Sequence, residues 1–260
     1  MKVRDITEAI EAFAPLRIQE DWDNSGLCIG SPDQEVSGVL LGFDCTPELV
    51  REAEACGADM IVTHHPLIFG GIKKIRPEDP VGRTILLSAR AGIAVYAAHT
   101  NADKVIGGVS GAMARRLGLE DIEVLDEEAE GIGLGAAGNL PRPMECGEFV
   151  EYVKERFALK VVRCSHPLDI PVSRVAMCGG SGSSLIGKAE CSGAQAYICG
   201  DISYHHFFTS KDFMVMDIGH FEGEVDIVDI LFSLLRKNFP NFAVRISSKL
   251  AASNPVYYYI

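Results

Sequence analysis

The run Asp59-Met-Ile-Val-Thr-His-His-Pro66 joins an apolar segment of strand length to two adjacent histidines. A short continuous apolar run of this kind reads as a buried strand. Open α/β sheets bind ligands at the carboxyl ends of their strands, so His64 and His65 stand where imidazole nitrogens would serve a site. Two further apolar runs end in the same way, in His99-x-x-x-Asp103 and His220-x-x-x-Glu224. Three strand ends therefore offer nitrogen and carboxylate donors, and the chain reads as a metalloprotein.

Upstream of the doublet, Gly38–Asp44 reads as a strand with an acid at its end, and Thr46-Pro47 as a helix N-cap followed by proline at the first helical position. That helix is expected to reach about Cys56, with Gly57 as its stop. Downstream, a helix over about Val81–Ala91, stopped by Gly92, leads into a strand over Ile93–Ala98. Strand, helix, strand, helix, strand is a parallel, right-handed crossover unit. Ile6, Ile10, Phe13 and Leu16 recur at helical spacing up to Pro15, and Trp22–Leu27 reads as a turn-rich loop. Further on, Glu148–Leu159 and Val225–Leu235 read as helices. Lys160–Cys164, Val172–Met177, Ala196–Cys199 and Phe213–Ile218 read as strands, as do the tail segments Phe242–Ile246 and Val256–Ile260. The run Gly179–Ser184 opens a helix and is a weak anion-cradle signal, without the lysine of a P-loop.

A shift of 136 positions (175 − 39) lays Val39 on Val175 and Met60–Thr63 on Ala196–Cys199 without a gap. A duplicated βαβ half explains this, although any two strand–helix–strand units have some likeness. The expected fold class is α/β: two related three-layer βαβ-type halves with mostly parallel sheets, and a metal site at the strand carboxyl ends between the halves. The acidic, then glycine-rich segment Glu120–Pro143 sets the expected boundary near Asp126. Residues 1–126 would form the first half, packing with 218–260, and residues 127–217 the second.

Composition narrows the classes. The net charge is −12, from 24 basic and 36 acidic residues, with no Lys/Arg block, which disfavours nucleic-acid binding. No apolar run approaches the roughly 18 residues of a membrane span. The first residues lack a signal-peptide apolar region, so a cytoplasmic location is expected. The eight cysteines form no Cys-x-x-Cys pair and read as reduced, mostly buried thiols.

His64, His65, Asp103, His220 and Glu224 supply three nitrogens and two carboxylates, more than one catalytic ion normally uses. A dinuclear site follows, with two divalent ions per chain; zinc, iron, manganese and nickel all suit these donors. Such a site would attract a small anion and acidify bound water. Each residue also has a plainer reading. Two adjacent strand residues cannot face the same side, Glu224 is favoured in a first helical turn by the dipole alone, and Asp103 could cap the next helix. His99 reads equally as an orienting donor or a core histidine. Asp201 and His205 are proton-transfer or orienting candidates, His206 has no assigned role, and His166 reads as a surface residue.

Trp22-Asp-Asn-Ser-Gly-Leu27, Thr63-His-His-Pro-Leu-Ile-Phe69, His99-Thr-Asn-Ala-Asp103, Gly200-Asp-Ile-Ser-Tyr-His205 and Gly219-His-Phe-Glu-Gly-Glu224 together resemble the NIF-three-like family. Its members are often labelled GTP cyclohydrolase 1 type 2 homologues, and this chain is similar to its short members. The resemblance implies two related α/β halves, a dinuclear centre facing an interior cavity and toroidal homohexamers. By position it places the metal ligands on His64, His65, Asp103, His220 and Glu224. The leading functional expectation is a dinuclear metal-dependent hydrolase of a nucleotide or related small anion such as GTP. The alternative is a non-enzymatic metal-binding, metal-handling or partner-binding ring protein. DNA binding through a ring is the least supported, given the acidic totals.

Overall fold

Thr46 accepts a hydrogen bond from the amide of Leu49 at 3.3 Å, Pro47 opens the helix Pro47–Cys56, and Gly57 closes it with φ +72°. This punctuation turns the chain sharply at both ends and returns it beside the strand it left. In the computed structural model, which describes residues 1–259, the strands are β1 (Gly26–Ile29), β2 (Gly38–Leu41), β3 (Met60–Thr63), β4 (Ala94–Ala97), β5 (Glu120–Ala129), β6 (Ile132–Met144), β7 (Arg163–Cys164), β8 (Val172–Ser181), β9 (Ala196–Gly200), β10 (Met214–Asp217) and β11 (Ala243–Ile246). The chain divides into two compact units, Met1–Ala102 with Ile227–Pro255, and Asp103–Asp226 with residues 256–259.

The first unit holds a five-stranded sheet ordered β1-β4-β3-β2-β11. Strands β11, β2, β3 and β4 are mutually parallel, and β1 lies antiparallel on the β4 edge. Every residue of β2, β3 and β4 is buried, as expected for parallel strands covered on both faces. Helix Val3–Phe13 turns Val3, Ile6 and Ile10 inward and packs on helix Ile227–Asn238, which buries Ile227, Val228, Leu231 and Leu235. Gly26 and Leu27, expected as the end of the Trp22–Leu27 loop, belong to β1 instead. Its signal is four residues long, and pairing with β4 (Gly26↔Ala97) decides its state.

In the second unit the order is β5-β6-β8-β9-β10-β7. Strands β8, β9 and β10 are parallel, while β5–β6, β6–β8 and β10–β7 pair antiparallel. The acidic segment around Asp126 forms β5, whose charged residues suit an edge strand that must resist further pairing. The glycine run after Cys178 continues β8 to Ser181. In the tail, residues 256–259 are not strand, and Ile260 lies outside the described residues.

The offset seen in the sequence recurs in the pairing. β2 and β3 pair with Val39↔Met60, Leu40↔Ile61 and Leu41↔Val62; β8 and β9 pair with Val175↔Ala196, Ala176↔Tyr197 and Met177↔Ile198. Every one of these pairs is related by the same 136 positions. The two units thus repeat a βαβ frame at the level of strand register. No helix among the described residues is long and apolar enough to cross a membrane.

Candidate metal centre

Three adjacent parallel strands of the first unit end in polar residues on one edge: β2 leads to Asp44, β3 to His64 and His65, and β4 to His99. Strand alternation does not separate the two neighbouring histidines. The strand stops at Thr63, and the amides of His64 and His65 both donate to the carbonyl of Phe43, at 3.2 and 3.3 Å. The Thr63 hydroxyl donates to the His65 carbonyl at 2.8 Å and tightens the turn. The two imidazoles consequently lie side by side, with ring centroids 4.9 Å apart. Ligating atoms of His64, His65 and His99 fall within 4.8 Å of one another, and this group could hold a metal ion.

Each of these rings has its Nδ1 fixed. That of His64, on a side chain buried to 0% exposure, donates to the carbonyl of Ala98 at 2.8 Å. His65 Nδ1 meets Asp44 Oδ1 at 2.7 Å, and His99 Nδ1 meets Asp23 Oδ1 at 2.7 Å. Carbonyl and carboxylate oxygens only accept, so the proton sits on Nδ1, and in the neutral ring the lone pair is on Nε2. This is the tautomer a metal requires, and an oxygen acceptor on the second nitrogen is the usual companion of a ligating histidine. Asp23 also accepts from Ser25 Oγ and from both the amide and hydroxyl of Thr100. Burial pushes its carboxyl pKa up, but the hydrogen bonds from His99 and Thr100 and the attraction of His99 outweigh it, holding the group well below the usual carboxylate range.

The second unit gathers carboxylates. The short helix His220–Glu224 puts its first and last residues one turn apart, bringing His220 Nε2 to 2.9 Å from Glu224 Oε2. Two cis ligands on bonds of about 2.1 Å are about 3 Å apart, so this pair has the spacing of atoms that share an ion. His220 Nδ1 meets Asp201 Oδ2 at 2.8 Å, repeating the arrangement of the first unit. Carboxylate oxygens of Asp103 and Glu224 lie within 4.8 Å of each other. Glu224 is buried against Gly179-Gly180 near the end of β8: a Cβ on Gly180, which has φ +55°, would collide with the Glu224 carboxylate. The glycine run thus makes room for an acid rather than wrapping an anion.

The remaining candidates are less engaged. His205 is exposed on the turn Tyr204–Phe207 and packs edge-on against Tyr204, with centroids 5.4 Å apart. His206 Nδ1 lies 3.1 Å from Ser203 Oγ. His166 is a surface residue whose ring nitrogens bond the carbonyls of Pro167 and Ser210, which raises its pKa. All eight cysteines are free thiols; burial pushes Cys45 and Cys199 up to about 12, so neither is a ready nucleophile. Sequence reasoning left Asp23 and Asp44 without a role. Asp44 had a usable signal, an acid closing the strand beside the one that carries the doublet.

Repeated βαβ frames, with oriented imidazoles and carboxylates at their strand ends, define an α/β protein whose side-chain clusters could hold a metal ion. The sequence profile of Duf34/NIF3 (NGG1p interacting factor 3) matches residues 1–255, and the chain belongs to that family. It is 36% identical over 262 residues to a GTP cyclohydrolase 1 type 2 homolog of Lactococcus lactis, covering 99% of each. A protein of the same name from Clostridium perfringens is 35% identical over 231 residues, covering 86% of this chain and 87% of that one. Among solved structures, a Staphylococcus aureus hypothetical protein superposes with a TM-score of 0.91 at 27% identity, over 100% of this chain and 99% of that one. A Bacillus cereus protein related to NIF3 gives 0.91 at 25% identity, over 100% and 99%.

Proposed function

We propose that this protein is a metal-dependent hydrolase of a nucleotide or related small anion, with His64, His65, Asp103, His220 and Glu224 as ligands of two divalent ions per chain. The observation that carries the reading is the common state of His64, His65, His99 and His220, each with Nδ1 committed to an oxygen acceptor. A core histidine needs such a partner once; three at the ends of adjacent strands in the first unit, and His220 after β10 in the second, repeat the arrangement that suits a ligand. When bound, the ions supply Lewis acidity and acidify water near neutral pH.

The chain's own residues do the rest. Ala98, Asp44 and Asp201 hold the ligand rings in orientation. Asp103 and Glu224 bring the negative charge that balances the cations. His99, held by the buried Asp23, is suited to accept a proton at Nε2, because the carboxylate stabilises the imidazolium that results. Choice of a nucleotide follows the name carried by relatives at 35–36% identity, which makes GTP the first substrate to test. A toroidal homohexamer is part of the same proposal, and light scattering of the purified protein reads it directly.

Metal analysis of the purified chain, with turnover of GTP and a nucleotide panel for wild type and Glu224→Ala, tests the function. About two ions per chain and activity lost in the variant are expected. Metal bound with no turnover of any nucleotide would replace the hydrolase by a metal-handling protein. No metal after metal-replete preparation would remove the ligand assignment.

A further inference from the structure

Two large aromatic side chains border the three-histidine group of the first unit and stand largely in solvent. Trp22 is 62% exposed and Phe69 54%. Trp22 lies edge-on to the imidazole of His99, with centroids 6.0 Å apart and planes at 75°. Phe69 meets the same imidazole at 5.5 Å and 88°, and His65 at 6.4 Å. The other aromatic rings of this unit are buried, as Tyr96 and Phe43 are, or half-buried. Full burial of such a ring is worth roughly 1.5–3 kcal/mol, so covering the exposed part of each would recover about half of that.

Neither ring rides on a loose segment. Asp23, next to Trp22, is tied to His99, Thr100 and Ser25, and Asn24 Nδ2 donates to the carbonyl of Ile68 at 2.7 Å, one residue before Phe69. The loop that carries Trp22 is thereby fastened both to the histidine group and to the segment that carries Phe69. Two aromatic faces are held in place beside the imidazoles rather than swept through solvent.

We propose that Trp22 and Phe69 form a stacking subsite for the flat heteroaromatic ring of the substrate, a purine-type base. This deepens the nucleotide reading above and rests on it. A π-surface takes up a planar heterocycle by stacking at little cost in conformational freedom, and it gives much less to a bare phosphate or an aliphatic chain. The subsite recognises the base, and the ligand group beside it is left to the anionic or reacting part.

Trp22 is the chain's single tryptophan, so its emission reports the subsite alone. The test titrates the full-length protein with GTP, guanosine and inorganic triphosphate, after its metal content has been measured, following fluorescence and calorimetry. GTP and guanosine are expected to quench Trp22, and triphosphate to leave it unchanged. Trp22→Ala or Phe69→Ala should weaken GTP and guanosine about 5- to 150-fold, the range of one lost stacking partner, with Trp22→Phe in between. Triphosphate affinity and metal content should not move. Absence of guanosine binding, unchanged affinity in Trp22→Ala, or equal losses for guanosine and triphosphate would overturn the subsite. So would a changed assembly size in Trp22→Ala with unaltered nucleotide affinity, which would give the rings to a contact between copies. Metal content in the wild type decides the ligand assignment separately: guanosine quenching without metal would keep the subsite and remove the metal centre.

Discussion

The two units share a βαβ frame and load it differently. Under the 136-residue offset, His64-His65 after β3 falls on Gly200-Asp201 at the end of β9, and Gly42-Phe43-Asp44 after β2 falls on Cys178-Gly179-Gly180 within the last residues of β8. The first unit places imidazoles at its strand ends and two carboxylates, Asp44 and Asp23, to orient His65 and His99. The second clears its strand ends with glycine, lets the buried Glu224 in, and keeps one imidazole, His220, oriented by Asp201. The frame dictates where donors can stand, and the side chains divide the labour into nitrogen and negative charge. Divalent transition ions use both kinds of donor, so each unit's set suits the metal-binding role proposed above.

The widest test of that division removes one set at a time. His64→Ala with His65→Ala, and separately Asp103→Ala with Glu224→Ala, are each expected to weaken metal binding by more than about 100-fold, beyond the loss of an outer-shell partner. Metal content after dialysis against a weak chelator reads it. Should either double variant keep its full complement, the donors of the other unit suffice and the division of labour fails.

The orienting carboxylates sharpen the comparison one ring at a time. Asp44→Asn frees His65, and Asp201→Asn frees His220. Each is expected to reduce metal affinity about 10- to 100-fold in a competition titration. A loss in only one of the two would show that only that imidazole serves as a ligand.

What the sequence discloses follows the same physics. The crossover strands were legible because each is a continuous apolar run closed by glycine, proline or a polar cap, as at Thr46-Pro47 and Gly57. The histidines were legible because they directly follow such runs. Strand β1 was not: its four residues earn their state from pairing with β4, a contact no local pattern encodes. The hairpin β5–β6 was hidden because an acidic edge strand has the composition of a linker. The side-by-side placement of His64 and His65 was also beyond reach, since it depends on both amides finding one carbonyl, that of Phe43. Asp23 escaped assignment because an orienting role exists only once a ring is there to be held, whereas Asp44 was readable as an acid closing the strand beside the histidine doublet.

Gly180 gives the next smaller effect. Gly180→Ala puts a side chain on a residue with φ +55° and drives it into Glu224, with an expected cost of about 1–2 kcal/mol in urea unfolding and weaker metal binding. Gly187→Ala, in the short helix Ile186–Cys191, meets no atom within 4 Å and serves as the control. If Gly180→Ala behaves like Gly187→Ala, the glycine run does not hold the space for the acid.

The smallest effect separates the two His–Asp pairs by burial. The Asp23 side chain is 0% exposed beside His99, whereas Asp201 is 56% exposed beside His220. With metal removed, Asp23→Asn is expected to cost about 1 kcal/mol at neutral pH, since charge-assisted hydrogen bonds become neutral ones. The sign with pH follows from the depressed carboxyl of Asp23. The unfolded chain takes up that proton first in acid, so the stabilisation is fully present above the ordinary carboxylate pKa and is lost as pH falls toward the folded-state value. Asparagine does not titrate, and the gap between wild type and variant should narrow in urea melts taken from about pH 6 to about pH 3. Asp201→Asn, at a solvent-screened pair, should shift stability by no more than about 0.5 kcal/mol. A gap for Asp201→Asn as large as that for Asp23→Asn would mean that burial does not distinguish the two pairs, and that the second unit depends on its orienting carboxylate for folding as well as for its histidine.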